Sequence, residues 1–472
     1  MKRFLMMLGC IALIAPALLL TGCGGDNISK EAQNYNIVFT NATVPLNMAA
    51  MDIWTSTDIT YFWYGRKDTF ADISRLSQRV NLVGNAGKKS MMGLPNGELK
   101  KMAKQVGKLY KANKKNTFKL YCVDYGIEAP MKIFYGNNIP EANFEVIFCS
   151  DGDGSYNYMR EFLNGEDQDK IMEAKVAEVD AMIAKAKKGK YSFGGNAFNY
   201  WAHSFAYATK DNVTLWLQRT PAADGGAVDT DGIYNAAGGR FFGIDSAVAA
   251  QMNIARKDLY AMAQELQTKG GKYAIDSFKK AMFGLKLEQM FNGIDGKLPL
   301  IVTGTSFTGE TDFTSVKQAN EKSNLETAFN KIKQVYGDEY FFIYKGHPSW
   351  PTHEGWDNSV SWKSTSGVTK TDFNTRAAYI ANNFDFEIPA QIPADMIMLF
   401  YQDDYALNFG GYDSSLFAAA DKGSNPGTNH NVLFFIGALG ASNQTIYDVG
   451  GFNVNGQKPK LLTPETYPTF AK

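Results

Sequence analysis

From Tyr35 onward, short and largely apolar runs alternate with longer stretches in which apolar residues recur every three or four positions. The first kind includes Phe118–Val123, Phe144–Cys149, Leu298–Thr303, Tyr340–Lys345 and Val432–Ile436. The second includes Gly97–Lys114, Asp169–Lys188, Asp245–Lys269, Tyr273–Asn292 and Val316–Tyr336. Continuous apolar runs of this length suit strands buried on both faces, and the second pattern gives helices with one buried stripe. Strands and helices in alternation predict an α/β protein with mostly parallel sheet. Such sheets gather their ligands at the carboxyl ends of the strands, so the exits from the apolar runs are where chemistry is expected.

Polar motifs stand at those exits. SDGDGS follows the run ending at Cys149, TGTS follows LPLIV, and GHP follows YFFIYK. The first motif is distant in sequence from the others, which predicts two lobes, with the boundary in the helical region between Asp245 and Leu298. The expected division is residues 35–270 and 271–472. No internal repeat is visible.

The first residues have the layout of an export signal. Lys2 and Arg3 supply the positive start, Ile11 to Leu20 the apolar core, and Leu20-Thr21-Gly22-Cys23 the close. The core is too short to span a bilayer, so residues 1–22 read as a cleaved signal. A cysteine after small residues at the cleavage point resembles the bacterial lipobox, which implies acylation of Cys23. Residues 23–34, small and polar, then form a tether, and the protein is expected outside the cytoplasm, anchored to a bacterial membrane by lipid.

Composition narrows the remainder. Lys plus Arg and Asp plus Glu each total 48, so no basic excess points to nucleic acid. Beyond Cys10 and Cys23 only Cys122 and Cys149 remain, both in strand-like runs. They can pair in an oxidising compartment or stand as buried free thiols in neighbouring strands, and their setting makes no zinc site.

Asp153, flanked by Gly152 and Gly154 at a strand exit, is an accessible carboxylate of the kind a general base requires. A calcium loop is excluded, because Tyr156 stands where that loop needs Gly and Phe162 where it needs Glu. His347 is one of four histidines and follows an apolar run between Gly346 and Pro348; an imidazolium there can neutralise a leaving phosphate. His353 reads as surface loop. Ser414 and Ser415 precede Leu416–Ala420, a helix start whose free N–H groups and hydroxyls suit a phosphate.

Taken in order, FCSDGDGSYNYM, VTGTSFTGETD, FIYKGHPSW, IPAQIPADMIML and NFGGYDSSLF resemble the motifs of the bacterial sialyltransferase family built on the GT-B fold. The ordered set spans Ser150 to Phe417. The resemblance implies two Rossmann-like lobes facing a central cleft, the first binding acceptor and the second the CMP donor. It implies inverting transfer of sialic acid from CMP-sialic acid to a hydroxyl of a galactoside-type acceptor, such as a cell-surface glycolipid, without metal or other cofactor. By the same resemblance Asp153 is the base and His347 the acid. Ser414 and Ser415 cradle the phosphate, while Gly304, Thr305, Lys345, Pro348 and Asp395 complete the donor site. Ser155 and Phe307 fall on the acceptor side. Asp395 stands where the family usually has Glu, Phe307 where it has Trp, and the acceptor-side histidine of the family has no counterpart. Donor chemistry therefore carries over and acceptor identity does not.

Three alternatives stay open on sequence. Asp151-Gly152-Asp153 also fits the metal-binding DxD of other glycosyltransferases. A noncatalytic glycan- or solute-binding lipoprotein would share the two lobes and the anchor, but has no use for an acid and a base. A transferase using another CMP-activated keto-sugar such as Kdo would keep the same leaving group.

Overall fold

A computed structural model of the chain describes residues 31–64, 80–82, 96–151, 154–163, 165, 167–191, 197–218, 244–283, 287–292, 294, 296–304, 329–346, 382–388, 392–412, 416, 420, 431–436, 447 and 458–462. Its strands fall into two sheets, every pairing parallel. The first contains β1 (Asn34–Thr40), β2 (Ile59–Tyr64), β3 (Val80–Leu82), β4 (Thr117–Val123), β5 (Phe144–Cys149), β6 (Val213–Leu217) and β7 (Ile254–Arg256), in the order β3-β2-β1-β4-β5-β6-β7. The second contains β8 (Leu298–Thr303), β9 (Tyr340–Lys345), β10 (Phe386–Ile388), β11 (Asn408–Tyr412), β12 (Val432–Ile436) and β13 (Lys460–Leu462), in the order β10-β9-β8-β11-β12-β13. Each sheet winds outward from its first strand and then reverses, at β1/β4 and at β8/β11. That reversal leaves a crevice at the carboxyl ends, where doubly wound sheets hold their ligands.

The apolar runs became strands because helices cover the sheets on both faces. The strand bounds read from sequence match those observed for β5, β8, β9 and β12, and β4 gains only Thr117. Cys122 and Cys149 are free, buried thiols on adjacent strands. Helix α1 (Thr43–Ile53) is buried at nearly every position, so it serves as a central layer and not as a solvent-facing cover. It packs on α7 (Leu259–Phe283), with Trp54 Nε1 donating to Ser277 Oγ at 3.0 Å and its ring edge-on to Phe278. The far end of α7 packs on α8 (Ala394–Tyr405) through Phe278–Phe400 and Phe283–Tyr401 ring contacts at 5.6 and 5.4 Å. One hydrophobic core thus runs from Phe39 and Phe148 of the first sheet to Ile301 and Phe341 of the second.

Between α1 and α7 lie α2 (Asn96–Ala112), α3 (Glu128–Ile133), α4 (Gly154–Phe162), α5 (Gln168–Lys187) and α6 (Ala197–Tyr207). Helix α2 ends two residues before the predicted limit; beyond it the Asn116 side chain donates to Leu109 O. The stretch Asp245–Lys269, predicted as one helix, is a correction. It contains a single turn (Ser246–Ala249), then β7 paired to β6 from Leu215/Ile254 to Leu217/Arg256, and only then the start of α7. Edge pairing overrode local propensity, and Asp258 caps the new helix by accepting from the Ala261 amide at 2.8 Å. Helix α7 itself is broken at Gly271, where φ is +64°, a left-handed conformation that glycine alone adopts without strain. The break lies in the connection between the last strand of the first sheet and the first strand of the second.

Candidate active site

At the carboxyl end of the first sheet, the ladder continues past the strands themselves. The Asp124 amide donates to Cys149 O and the Ser150 amide to Trp216 O, at 3.1 and 3.0 Å. These bonds fix the two exits side by side. The chain then turns sharply after β4, with Gly126 N–H closing on Val123 O at 2.7 Å. A β-carbon at Gly126 would meet that same oxygen at 2.7 Å, so the turn demands glycine.

The exit after β4 holds a group that sequence reading missed. Asp124 is fully buried, and the Ser155 hydroxyl at the start of α4 donates to its Oδ2. The Trp201 indole and the Asp151 amide also bear on the carboxyl as donors. Burial pushes the carboxyl up to about 8, the Ser155 bond opposes the rise, and the charge of Asp151 adds to it. Glu128, at the start of α3, is pushed up to about 7 by burial, opposed by its hydrogen bond with Tyr200. The rule that exposed SDGDGS, a polar group directly after an apolar run, applies equally to Asp124 in CVDYG and would have found it.

Aromatic rings wall the same exits. Trp201 on α6 stacks on Tyr158 of α4 at 3.9 Å and tilts against Tyr125 at 4.6 Å. Tyr125 O–H donates to Asn41 Oδ1 at 2.8 Å, beyond the end of β1. In α1 Asn47 is fully buried with neither amide atom paired. Ring faces beside polar groups are the usual composition of a small-molecule pocket.

The second sheet presents its own exits. The Gly304 amide donates to Lys345 O at 2.9 Å, joining the ends of β8 and β9. Lys345 is 3% exposed, its Nζ donating to Gly346 O at 2.5 Å. Asp395 is the second residue of α8 and 5% exposed, with Oδ2 unpartnered. Burial raises its carboxyl to about 6; its own amide, the Lys345 charge and the Met396 amide oppose the rise, and the Asp151 charge adds to it. Asp151, on the first lobe, therefore acts on buried acids of both lobes. At the neighbouring exit Gly411 has φ +137° and lies so close to Thr303 that a β-carbon would collide with its backbone.

The structure thus brings Gly304, Lys345 and Asp395 together at the carboxyl end of the second sheet. Ser155, expected on the acceptor side, is fully buried with its hydroxyl turned to Asp124. Asp153, Thr305, Phe307, His347, Pro348, Ser414, Ser415 and Cys23 lie outside the described residues.

No family model matches the chain, and no curated protein matches it by sequence. Solved structures do. An α/β-galactoside α-2,3-sialyltransferase from Photobacterium phosphoreum is similar over 91% of this chain and 99% of its own, at 14% identity and a TM-score of 0.57. The GT-B domain of a sialyltransferase from Photobacterium damselae is similar over 91% and 100%, at 13% identity and 0.55. A 2,6-sialyltransferase from Photobacterium sp. JT-ISH-224, solved with CMP and lactose, is similar over 92% and 78%, at 12% identity and 0.58. Two wholly parallel, doubly wound sheets and this likeness over nine-tenths of the chain define the fold as GT-B: two Rossmann-like lobes with their strand exits turned to a shared cleft.

Proposed function

We propose that the chain is a sialyltransferase that moves sialic acid from CMP-sialic acid to a galactoside hydroxyl, with inversion and without a metal ion. The observation that carries the reading is the second lobe's exit, where a buried Lys345 and a buried, half-satisfied Asp395 flank the Gly304 turn. In the order of the sequence motifs these are donor-site positions, and the solved structures similar over nine-tenths of the chain are sialyltransferases, one of them solved with CMP and lactose.

In this reading Asp395 accepts hydrogen bonds from donor hydroxyls through the oxygen that has no protein partner. Asp153 takes the acceptor proton as the new bond forms. His347 meets the growing negative charge on the leaving phosphate, and Ser414 and Ser415 hold that phosphate at a helix start. The chain is exported and held by lipid at Cys23, so transfer takes place at a membrane surface.

The test is release of CMP from CMP-sialic acid, with and without lactose, in EDTA. Lactose-stimulated release that survives chelation is expected. No release, or release abolished by EDTA and restored by Mn²⁺, refutes the reading; the second result would favour the DxD arrangement of Asp151 and Asp153. CMP-Kdo as a second donor distinguishes the keto-sugar.

A further inference from the structure

The edge of the first sheet opposite the strand exits carries a concentration of lysines. The chain arrives there: Gln33 donates its amide to Asn116 Oδ1 at 2.9 Å and accepts from the Thr117 amide at 3.1 Å. Gln33 is thereby pinned to the loop between α2 and β4. That loop and the end of α2 carry Lys111, Lys114 and Lys115, all exposed. They finish a run in which seven lysines and no acidic residue lie between Lys100 and Lys115. Lys100, Lys104, Lys108 and Lys111 recur at helical spacing, while Leu99, Met102, Ala103, Val106 and Leu109 are buried. The chain as a whole is balanced in charge, so this concentration does not follow from composition.

On the other side of β1 the same edge carries an exposed ring. Asn36 donates to Ser56 Oγ just after α1, and neighbouring Thr55 packs against Gly270. At the adjacent break in α7, Tyr273 is 82% exposed and sits beside exposed Lys272. Lys269 is close by in sequence, paired to Glu265 at 3.7 Å. Of the acids at this edge, Asp52 is engaged by Lys119 and Tyr121 and Glu141 accepts from Tyr135 O–H; Glu31, Asp58, Glu145 and Asp211 stand in opposition.

We propose that this edge docks on anionic lipid headgroups, with Lys111, Lys114 and Lys115 as the electrostatic contact and Tyr273 as an interfacial ring. The proposal rests on the lipid-anchored reading for its orientation. A stretch of about ten residues has a mean reach of roughly 17 Å when it behaves as a random coil, which keeps the edge within a few Debye lengths of the bilayer. A lysine at such a surface strengthens binding about fivefold, and a tyrosine with a wet hydroxyl and an apolar ring suits the headgroup level. Strand β1 spans about 20 Å, so docking here holds the cleft away from the membrane and open to acceptors in front of it.

The experiment uses the chain lacking residues 1–23, none of which belongs to a described strand or helix, so that no acyl chain contributes. It is sedimented with vesicles of phosphatidylcholine, with or without one-third phosphatidylglycerol, at low and high salt. Binding to the anionic vesicles alone, lost at high salt, is expected. Lys111→Glu, Lys114→Glu and Lys115→Glu combined should weaken it at least tenfold, the corresponding arginine substitutions should preserve it, and Tyr273→Ala should weaken it severalfold. Circular dichroism confirms that each variant is folded. Equal binding to neutral vesicles, no binding, or full affinity in the folded glutamate variant overturns the proposal. CMP release is a separate readout, so a chain that docks but does not release CMP would sink the proposed reaction and leave this surface standing.

Discussion

Replacing Asp124 with Asn tests the buried carboxyl beneath the first lobe's strand exits. The side chain is fully buried and its carboxyl is pushed up to about 8, chiefly by burial, against about 3.9 for an aspartate in an unfolded chain. Between these values the native state keeps a proton that the unfolded chain has released, so stability falls as pH rises, by about 1.4 kcal/mol per unit. From pH 5 to pH 8 the loss amounts to as much as about 4 kcal/mol. Above about 8 the native carboxyl ionises too and the loss levels off. Asparagine has nearly the same shape, can accept from the Ser155 hydroxyl through Oδ1, and never ionises. Variant and wild type should therefore be close in stability at pH 5, and the variant should be more stable by several kcal/mol at pH 9. Glu128 is pushed in the same direction, but it is present in both proteins and cancels. The assay is the urea midpoint followed by tryptophan fluorescence at pH 5, 7 and 9. A difference between the two proteins that does not change with pH would refute the reasoning.

Other outcomes follow from the same geometry. Asp153→Asn should lower turnover by roughly 10²–10⁴-fold, the loss of a positioned base, while calorimetry shows CMP binding nearly intact; a variant keeping more than a tenth of the rate would shift the role to Asp151. Because the Asp395 carboxyl is raised to about 6, CMP affinity should weaken as pH falls through that value, and Asp395→Asn should abolish the step and weaken binding about tenfold or more. An unchanged pH profile would place Asp395 away from the donor. Gly411→Ala should cost about 3 kcal/mol or more, since it combines a left-handed backbone with a collision against Thr303; a melting temperature equal to wild type would contradict the close approach of β11 to β8.

The legibility of the fold varied with how local its causes are. The strands Phe144–Cys149, Leu298–Thr303, Tyr340–Lys345 and Val432–Ile436 announce themselves because a strand covered on both faces must be largely apolar. Strand β7 did not, since Ile254-Ala255-Arg256 is short and half-buried and is a strand only because β6 offers it an edge. The break at Gly271, by contrast, falls in the gap between the amphipathic stretches Asp245–Lys269 and Tyr273–Asn292, where the sequence already interrupts the helix. In the candidate site, Lys345 and Asp395 could be singled out from the segments YKGHP and IPAD in which they stand. Trp201 and Tyr158 could not, because their association depends on α4 and α6 folding back over the β4 exit.

The electrostatics of the cleft give the two buried acids a shared meaning. Asp151 raises both Asp124 and Asp395, so three carboxyls surround a region proposed to receive an anionic nucleotide sugar, and all three ionised would repel it. Burial removes one of them, since Asp124 keeps its proton until about pH 8. Asp395 is ionised above about 6 with Lys345 favouring its charge, so it can accept donor hydroxyls without adding an uncompensated charge. Between these two values the first lobe presents a neutral acid and the second a carboxylate favoured by the Lys345 charge, the combination that tolerates the donor best. Donor affinity should therefore pass through a plateau, falling on the acid side as Asp395 takes a proton and on the alkaline side as Asp124 loses one. Asp124→Asn should remove the alkaline limb alone and Asp395→Asn the acid limb alone. If either substitution flattened both limbs, the two acids would have to act as one coupled unit through Asp151, and the division of labour between the lobes would be wrong.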